Sequence, residues 1–181
     1  MTSNKKQDGN PVPHPEVPGR PCSVAAALQL VGERWALLAI REIFYGNQRF
    51  DQIVRNTGAP RDRLAARLRA LEEAGVVERR AYSERPVRFA YHLTEAGREL
   101  APVIRALLAW GDRWAVDTPP VAVRHRAGAD SGHGVAEHDL DLVSTCRTCG
   151  EEVAPGSLTI DVRAPGWDQA GPLEGRVRST S

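Results

Sequence analysis

Apolar positions recur every three or four residues along the first half of the chain, then switch to every second residue, then return to helical spacing. Val24, Ala27, Leu28 and Val31 fall on one side of a first helix that Gly32 can end. Trp35, Leu38, Ala39 and Ile43 share a face of a second helix over 33–45, with Gly46 after it as a cap. Phe50, Ile53 and Val54 turn inward from a short third helix over 50–56, and the turn residues 57–60 follow, with Pro60 suited to the first position of the next helix. Leu64, Leu68 and Leu71 make the buried stripe of that fourth helix, which Gly75 stops. Residues 76–82 read as a strand. Residues 83–86 are the hairpin turn, and Val87, Phe89, Tyr91 and Leu93 alternate toward one face of a second strand. Thr94 can cap a last helix carrying Leu100, Val103, Leu107, Trp110 and Trp114, with Pro102 expected to kink it or displace its start.

This order predicts a mainly α domain with a small β-hairpin, a winged helix-turn-helix, over 21–115. Residues 1–20 are rich in Pro, Gly and polar residues and read as a flexible arm. The remaining residues, 116–181, form an acidic tail in which only 139–162 looks able to order.

Charge sharpens the picture. The 181 residues carry a formal net charge of +1, which by itself says nothing of nucleic acid. Its distribution does. Between residues 48 and 71 six arginines face two aspartates, whereas from Ala115 onward ten carboxylates face six arginines. At roughly 100° per residue, Asp62, Arg63, Ala66 and Arg69 point away from the leucine stripe, with Arg61 and Arg67 on its flanks. Arg63, outward and early in the helix, is the candidate for reading a base edge, most simply guanine. Arg61 and Arg67 are placed for phosphates, Arg85 and Arg88 for a wing contact, and Arg49 for the backbone beside the third helix. Arg69 is the weakest candidate, because Glu72 and Glu73 can pair with it.

From Cys22 to Trp114 the chain resembles the HxlR family of bacterial winged-helix regulators, relatives of the MarR group. The resemblance rests on Cys22, GERWALLAIREI (32–43), RFDQI (49–53), RLRALEEAGVVER (67–79), the P-x-R-x-x-Y-x-L-T segment (86–94) and AWGDRW (109–114). It implies a homodimer, joined through the first and last helices of the domain. Such a dimer would bind an inverted-repeat operator on double-stranded DNA and repress or activate nearby genes, repression being the expected sign, in response to a small-molecule effector or a redox signal. Pro60 departs from the serine or threonine that often caps the recognition helix in this family.

Cys22 lies just before the first helix, with Ser23 as a candidate cap, and the helix dipole there favours the reactive thiolate. Members of the family use a cysteine at this position to sense oxidants, so the resemblance makes Cys22 a redox-sensing candidate. An inert, packed side chain is the plain alternative. Trp35 and the C-terminal tryptophans are candidate linings of an effector pocket or simply core.

In the tail, Cys146 and Cys149 stand in C-x-x-C-G, the spacing of a zinc knuckle. A zinc-ribbon-like element would need two more ligands, with His125, His133 and His138 available; the same spacing also suits a dithiol redox pair. DNA binding itself requires no cofactor. Three cysteines without an apolar leader or membrane-length span predict a cytoplasmic chain with no membrane partner. No nucleophile motif or phosphate loop points to an enzyme. The competing reading is a winged-helix protein-interaction module that has lost specific DNA binding; the outward arginines favour DNA.

Overall fold

A computed structural model of the chain describes residues 12, 13, 15, 22–125, 137–154 and 156–158. The N-terminal arm therefore lies almost wholly outside the described residues. The chain divides into two compact units, Met1–Gly111 and Asp112–Ser181.

In the first unit six helices and one hairpin follow in the order α1 (Ser23–Val31), α2 (Arg34–Phe44), α3 (Phe50–Thr57), α4 (Arg61–Glu73), β1 (Val77–Glu84), β2 (Val87–Leu93), α5 (Glu95–Arg98) and α6 (Ala101–Trp114), the last running on past the division. Gly32 and Glu33 separate α1 from α2, which are bent by 77° to each other, and the Glu33 carboxylate accepts from the Trp35 N–H at 2.9 Å. The N-cap of α1 is Cys22, not Ser23; its side chain makes no capping hydrogen bond, and Ser23 is already helical. No single described helix is long and apolar enough to cross a membrane.

The core is one cluster. Ala36, Ala39, Ile40 and Ile43 of α2 meet Ile53 of α3, the leucines of α4 and Val76, Val77 and Leu93 at the base of the hairpin. Leu64, Leu68 and Leu71 are fully buried, each burial contributing about 1.5–3 kcal/mol. The face of α2 is rotated from the expected one. Trp35 and Leu38 are only half-buried, while Ala36 and Ile40 lie at the centre. Trp35 instead lies beside the Arg34 guanidinium, 4.3 Å from its ring centroid.

The hairpin is antiparallel, with Val77 opposite Leu93 and an irregularity between Ala81 and Ser83. Its strands run further than the sequence suggests, so the turn shrinks to Arg85–Pro86. The expected alternation holds only near the base. Leu93 is buried and Tyr91 half-buried, but Phe89 and Val87 are exposed, because a two-stranded ribbon that projects past the core has nothing to cover its tip. Ala90, on the other face, is buried because Gln48–Arg49 runs along β2: the Tyr91 N–H donates to the Gln48 carbonyl at 2.8 Å, and Arg49 bridges Ala90.

Thr94 caps α5 through its hydroxyl, which accepts from the Gly97 N–H at 3.2 Å. Pro102 acts as expected: the last helix is broken after Arg98 and restarts at Ala101. Gly97 is buried, and a Cβ there would stand 2.2 Å from the Val76 carbonyl oxygen, so only glycine allows α5 this close to the hairpin base.

In the second unit β3 (Arg124–His125) pairs antiparallel with β4 (His138–Asp139), and Thr145 bridges Glu152 around the C-x-x-C turn. Residues 159–162 of the expected ordered segment lie outside the described residues.

Candidate nucleic-acid interface

The turn between α3 and α4 is built by its own residues. The Thr57 hydroxyl donates to the Ile53 carbonyl at 2.6 Å and accepts from the Ala59 N–H at 3.2 Å. Gly58 takes the left-handed conformation, φ 67°, that closes α3. Pro60 is the N-cap of α4, one position earlier than its sequence reading, and offers no side-chain acceptor; Arg61 is the first helical residue. With Ala59 buried under the turn, α4 leaves with its leucines inward and Arg61, Asp62, Arg63 and Arg69 exposed. Arg67, on the flank, is half-buried.

The sequence candidates differ in what they touch. Arg61 ion-pairs with Asp51 in the first turn of α3 at 2.8 Å, and its guanidinium lies 5.0 Å from the Phe50 ring centroid. Both partners stay open to water, at 65% and 80% side-chain exposure, so the pair contributes well under about 1 kcal/mol and can open for a phosphate. Arg49 is the N-cap residue of α3; its N–H donates to the Gln52 side chain at 3.0 Å, and its guanidinium sits 4.8 Å from the Tyr82 ring on the hairpin. Arg63, Arg67, Arg85 and Arg88 make no ion pair or hydrogen bond among the described residues, which leaves their donors available. Glu72 does not pair with Arg69; it bonds Arg79 of β1 at 2.9 Å, and that bond with the Glu72 charge raises the affinity of Arg79 for its proton. A strand residue aimed back over the helix end outcompeted the helical neighbour.

Through these contacts the starts of α3 and α4 and the hairpin adjoin: Arg61 reaches Asp51 and Phe50, and Arg49 reaches Tyr82. Tyr82 and Asp51 were not singled out as part of the site. The Arg49–Tyr82 stack joins residues far apart in sequence and leaves no local signal.

A further missed residue is Glu42. Its side chain is buried, at 4% exposure, and accepts from Arg41 at 2.7 Å, Asn47 at 2.7 Å and Asn56 at 2.9 Å. Burial, the largest influence, pushes its carboxyl up, but hydrogen bonds from Asn56 and Arg41, the Arg41 charge and the Asn47 bond together hold it below its ordinary value of 4.5. The carboxylate ties α2 to the loop after it and to the last turn of α3.

Cys22 is half-buried at the start of α1. Two shallow cavities, of about 310 and 440 Å³, share Gln48 and His92, and neither is lined by a tryptophan. Cys146 and Cys149 share a turn, but no group of three or more His, Cys, Asp or Glu able to hold a metal occurs among the described residues. His125 and His138 instead pack edge to face, 5.2 Å between ring centroids; His133 lies outside the described residues. A four-ligand zinc site therefore has two thiols and no described completion.

A helix anchored by three leucines, entered through a tight turn and followed by a basic hairpin, defines a winged helix-turn-helix protein. Residues 30–118 match the HxlR-like helix-turn-helix family. An HTH-type transcriptional regulator of Mycobacterium tuberculosis is 45% identical over 139 residues, 76% of this chain and 83% of that protein. Two solved structures assigned as transcription factors share the fold. PA1607 has a TM-score of 0.62 at 30% identity, covering 77% of this chain and 93% of that one; PA1374 of Pseudomonas aeruginosa has 0.51 at 29%, covering 82% and 96%. The chain belongs to the HxlR-like helix-turn-helix family and is a transcriptional regulator of the HTH type, not an enzyme.

Proposed function

We propose that two copies of the chain bind an inverted-repeat operator and repress the adjoining gene, with one α4 entering the major groove of each half-site. The observation that carries this is the two-sidedness of α4: leucines fully buried on one side, and on the other an Arg63 that the described residues leave unpaired. Arg63 reads a base edge, Arg61 and Arg67 hold phosphates, and Arg85 and Arg88 follow the groove beside the hairpin. Arg49 steadies the backbone from the start of α3.

The dimer reading is supported by helices left unpaired in a single chain. Leu100, just before α6, and Ile104 within it turn toward the core, while Val103, Leu107, Trp110 and Trp114 form an exposed stripe; Val24 and Leu28 of α1 are also exposed. A row of four large apolar residues on one helix is too much to leave in water. A second copy covering it makes a two-fold assembly, and two-fold symmetry is what an inverted repeat matches. A signal, either a small organic effector or oxidation at Cys22, acts by changing the spacing of the two α4 helices. Cys22 suits this because it opens α1, one of the helices assigned to the dimer.

The test is fluorescence anisotropy of the full-length protein on inverted repeats taken from genomic mapping of its bound sites. Arg63→Ala is expected to lose about 1–3 kcal/mol on the cognate site and little on others, so that discrimination falls. Arg67→Ala is expected to weaken all sequences alike and to lower the salt slope by about one unit. Equal affinity for operator and random DNA in both reduced and oxidised protein would sink the reading and favour the interaction module.

A further inference from the structure

The DNA-binding reading makes no use of the C-x-x-C turn, which is built with some care. The Val153 N–H donates to the Ser144 carbonyl at 2.7 Å and the Cys146 N–H to the Glu151 carbonyl at 2.8 Å, with the Thr145–Glu152 bridge between them. Gly150 adopts φ 77°, and its N–H closes the turn on the Cys146 carbonyl at 2.7 Å. This brings Thr148 and Cys149 back toward Cys146 in one tight turn. Hydrogen bonding from the Cys149 N–H first, then from the Thr148 N–H and the Cys149 side chain, holds the Cys146 thiol below its usual range. Cys146 is half-buried and Cys149 is exposed. The turn thus sets a solvent-open thiol three residues from one that loses its proton more readily than usual.

Two such thiols can hold a metal or exchange electrons, and the surrounding donors decide between these. No third ligand joins them among the described residues, while a disulfide needs only the two cysteines that the turn already brings together. We propose that Cys146 and Cys149 form a reversible intramolecular disulfide in response to hydroperoxides, Cys146 being the attacking thiolate and Cys149 the resolving thiol. The Cys146 thiolate attacks the terminal oxygen of the hydroperoxide; an S–O bond forms, the O–O bond breaks, and the departing alkoxide takes a proton from water to leave as the alcohol. Cys146 is now a sulfenic acid. The Cys149 sulfur attacks the Cys146 sulfur, the S–O bond breaks, and hydroxide leaves with the Cys149 proton as water. Two thiols have lost two electrons, and the peroxide has gained them. A dithiol reductant reverses the bond by exchange. The step is independent of the Cys22 reading, and the ring it closes spans four residues, so little chain entropy opposes it.

The experiment uses the full chain carrying Cys22→Ser, which leaves only Cys146 and Cys149 of the three cysteines. Equimolar hydrogen peroxide is added to the reduced protein, followed by thiol alkylation, intact mass and tryptic mapping; trypsin cuts after Arg147, between the two sulfurs. Both thiols should vanish together into a disulfide-linked peptide pair within one chain, two hydrogens lighter and restored by dithiothreitol. With Cys149→Ser added, Cys146 should stop as a sulfenic acid that dimedone traps. With Cys146→Ser instead, peroxide consumption should fall by about tenfold or more. One zinc per chain, with thiols that stay silent until a chelator is added, would overturn the proposal in favour of a metal site. So would links formed only between chains, or equal peroxide reactivity of the two single-thiol variants.

Discussion

Removing the Glu42 carboxylate should loosen the frame that carries α3. In Glu42→Ala three side-chain partners lose their acceptor: Arg41, which donates through two nitrogens at 2.7 and 3.2 Å, Asn47 at 2.7 Å and Asn56 at 2.9 Å. Deleting one member of a sealed, charged network costs about 3–5 kcal/mol. Here the Arg41 side chain keeps 32% exposure and can find water, so the expected loss is about 2–3 kcal/mol. Glu42→Gln keeps the shape and one acceptor oxygen but turns an amide NH2 toward donors, and should cost about 1–2 kcal/mol. The pH dependence separates charge from shape. Because the folded carboxyl sits below its ordinary value of 4.5, its contribution is present above that value and is lost as pH falls through the lower folded one. The gap between wild type and Glu42→Gln should therefore be widest near neutral pH and should close in acid. Urea unfolding followed by circular dichroism at several pH values measures this, read from the midpoint at constant slope. A Glu42→Gln midpoint equal to wild type at neutral pH, or a gap that persists unchanged in acid, would refute the reasoning.

Three further outcomes follow from the same contacts. Gly97→Ala places a Cβ 2.2 Å from the Val76 carbonyl oxygen, so stability should drop by about 1–3 kcal/mol despite the better helix propensity of alanine; a raised melting temperature would contradict the close approach. Asp51→Asn frees Arg61 and removes a negative charge beside it, so DNA affinity at low salt should rise about two- to tenfold by anisotropy, and weaker binding would show that Arg61 needs its partner for position. Trp110→Asp, at a site 62% exposed in one chain, should leave helicity intact and shift the sedimentation of the protein toward monomer; an unchanged assembly would remove α6 from the dimer.

The helix-turn-helix was legible because each of its parts has a local cause. Leucines at helical spacing set the buried side of α4, and a glycine with a left-handed φ ended α3 where the sequence placed the turn. The hairpin was legible as a hairpin but not in its environment, because the strip that buries Ala90 comes from Gln48 and Arg49, more than a helix-turn-helix away in sequence. The phase of α2 is not legible from its bulkiest apolar residue, because Trp35 sits half-buried beside Arg34 while the small Ala36 and Ala39 are buried. Glu42 escaped notice for the opposite reason: a carboxylate on a helix reads as solvated until its three partners are seen. The thiol turn was visible as spacing alone. That the Cys146 thiol is held below its usual range depends on backbone N–H directions that no spacing encodes.

The two ends of α4 are held unequally, and this bears on how it meets DNA. Beyond its C-terminal end, the Thr94 hydroxyl donates toward the Gly75 and Val76 carbonyls at 2.6 and 3.1 Å, and the Thr94 N–H donates to the same Val76 carbonyl at 3.1 Å. Those bonds are half-buried and join the end of the helix, the hairpin base and α5 into one piece. At the N-terminal end, outside the buried Leu64, the ties to another element are the open Arg61–Asp51 pair and the Arg61 guanidinium beside the Phe50 ring. An exposed ion pair resists little, whereas half-buried hydrogen bonds backed by a glycine contact resist strongly. The exposed side of the half that carries Arg63 is thus held only weakly and can adjust against a groove, while Leu64, Leu68 and Leu71 fix the direction of the helix against the core. Stability and recognition are separated along thirteen residues: changes at Gly97 or Thr94 act first on folding, and changes at Arg63, Arg61 or Asp51 act first on binding.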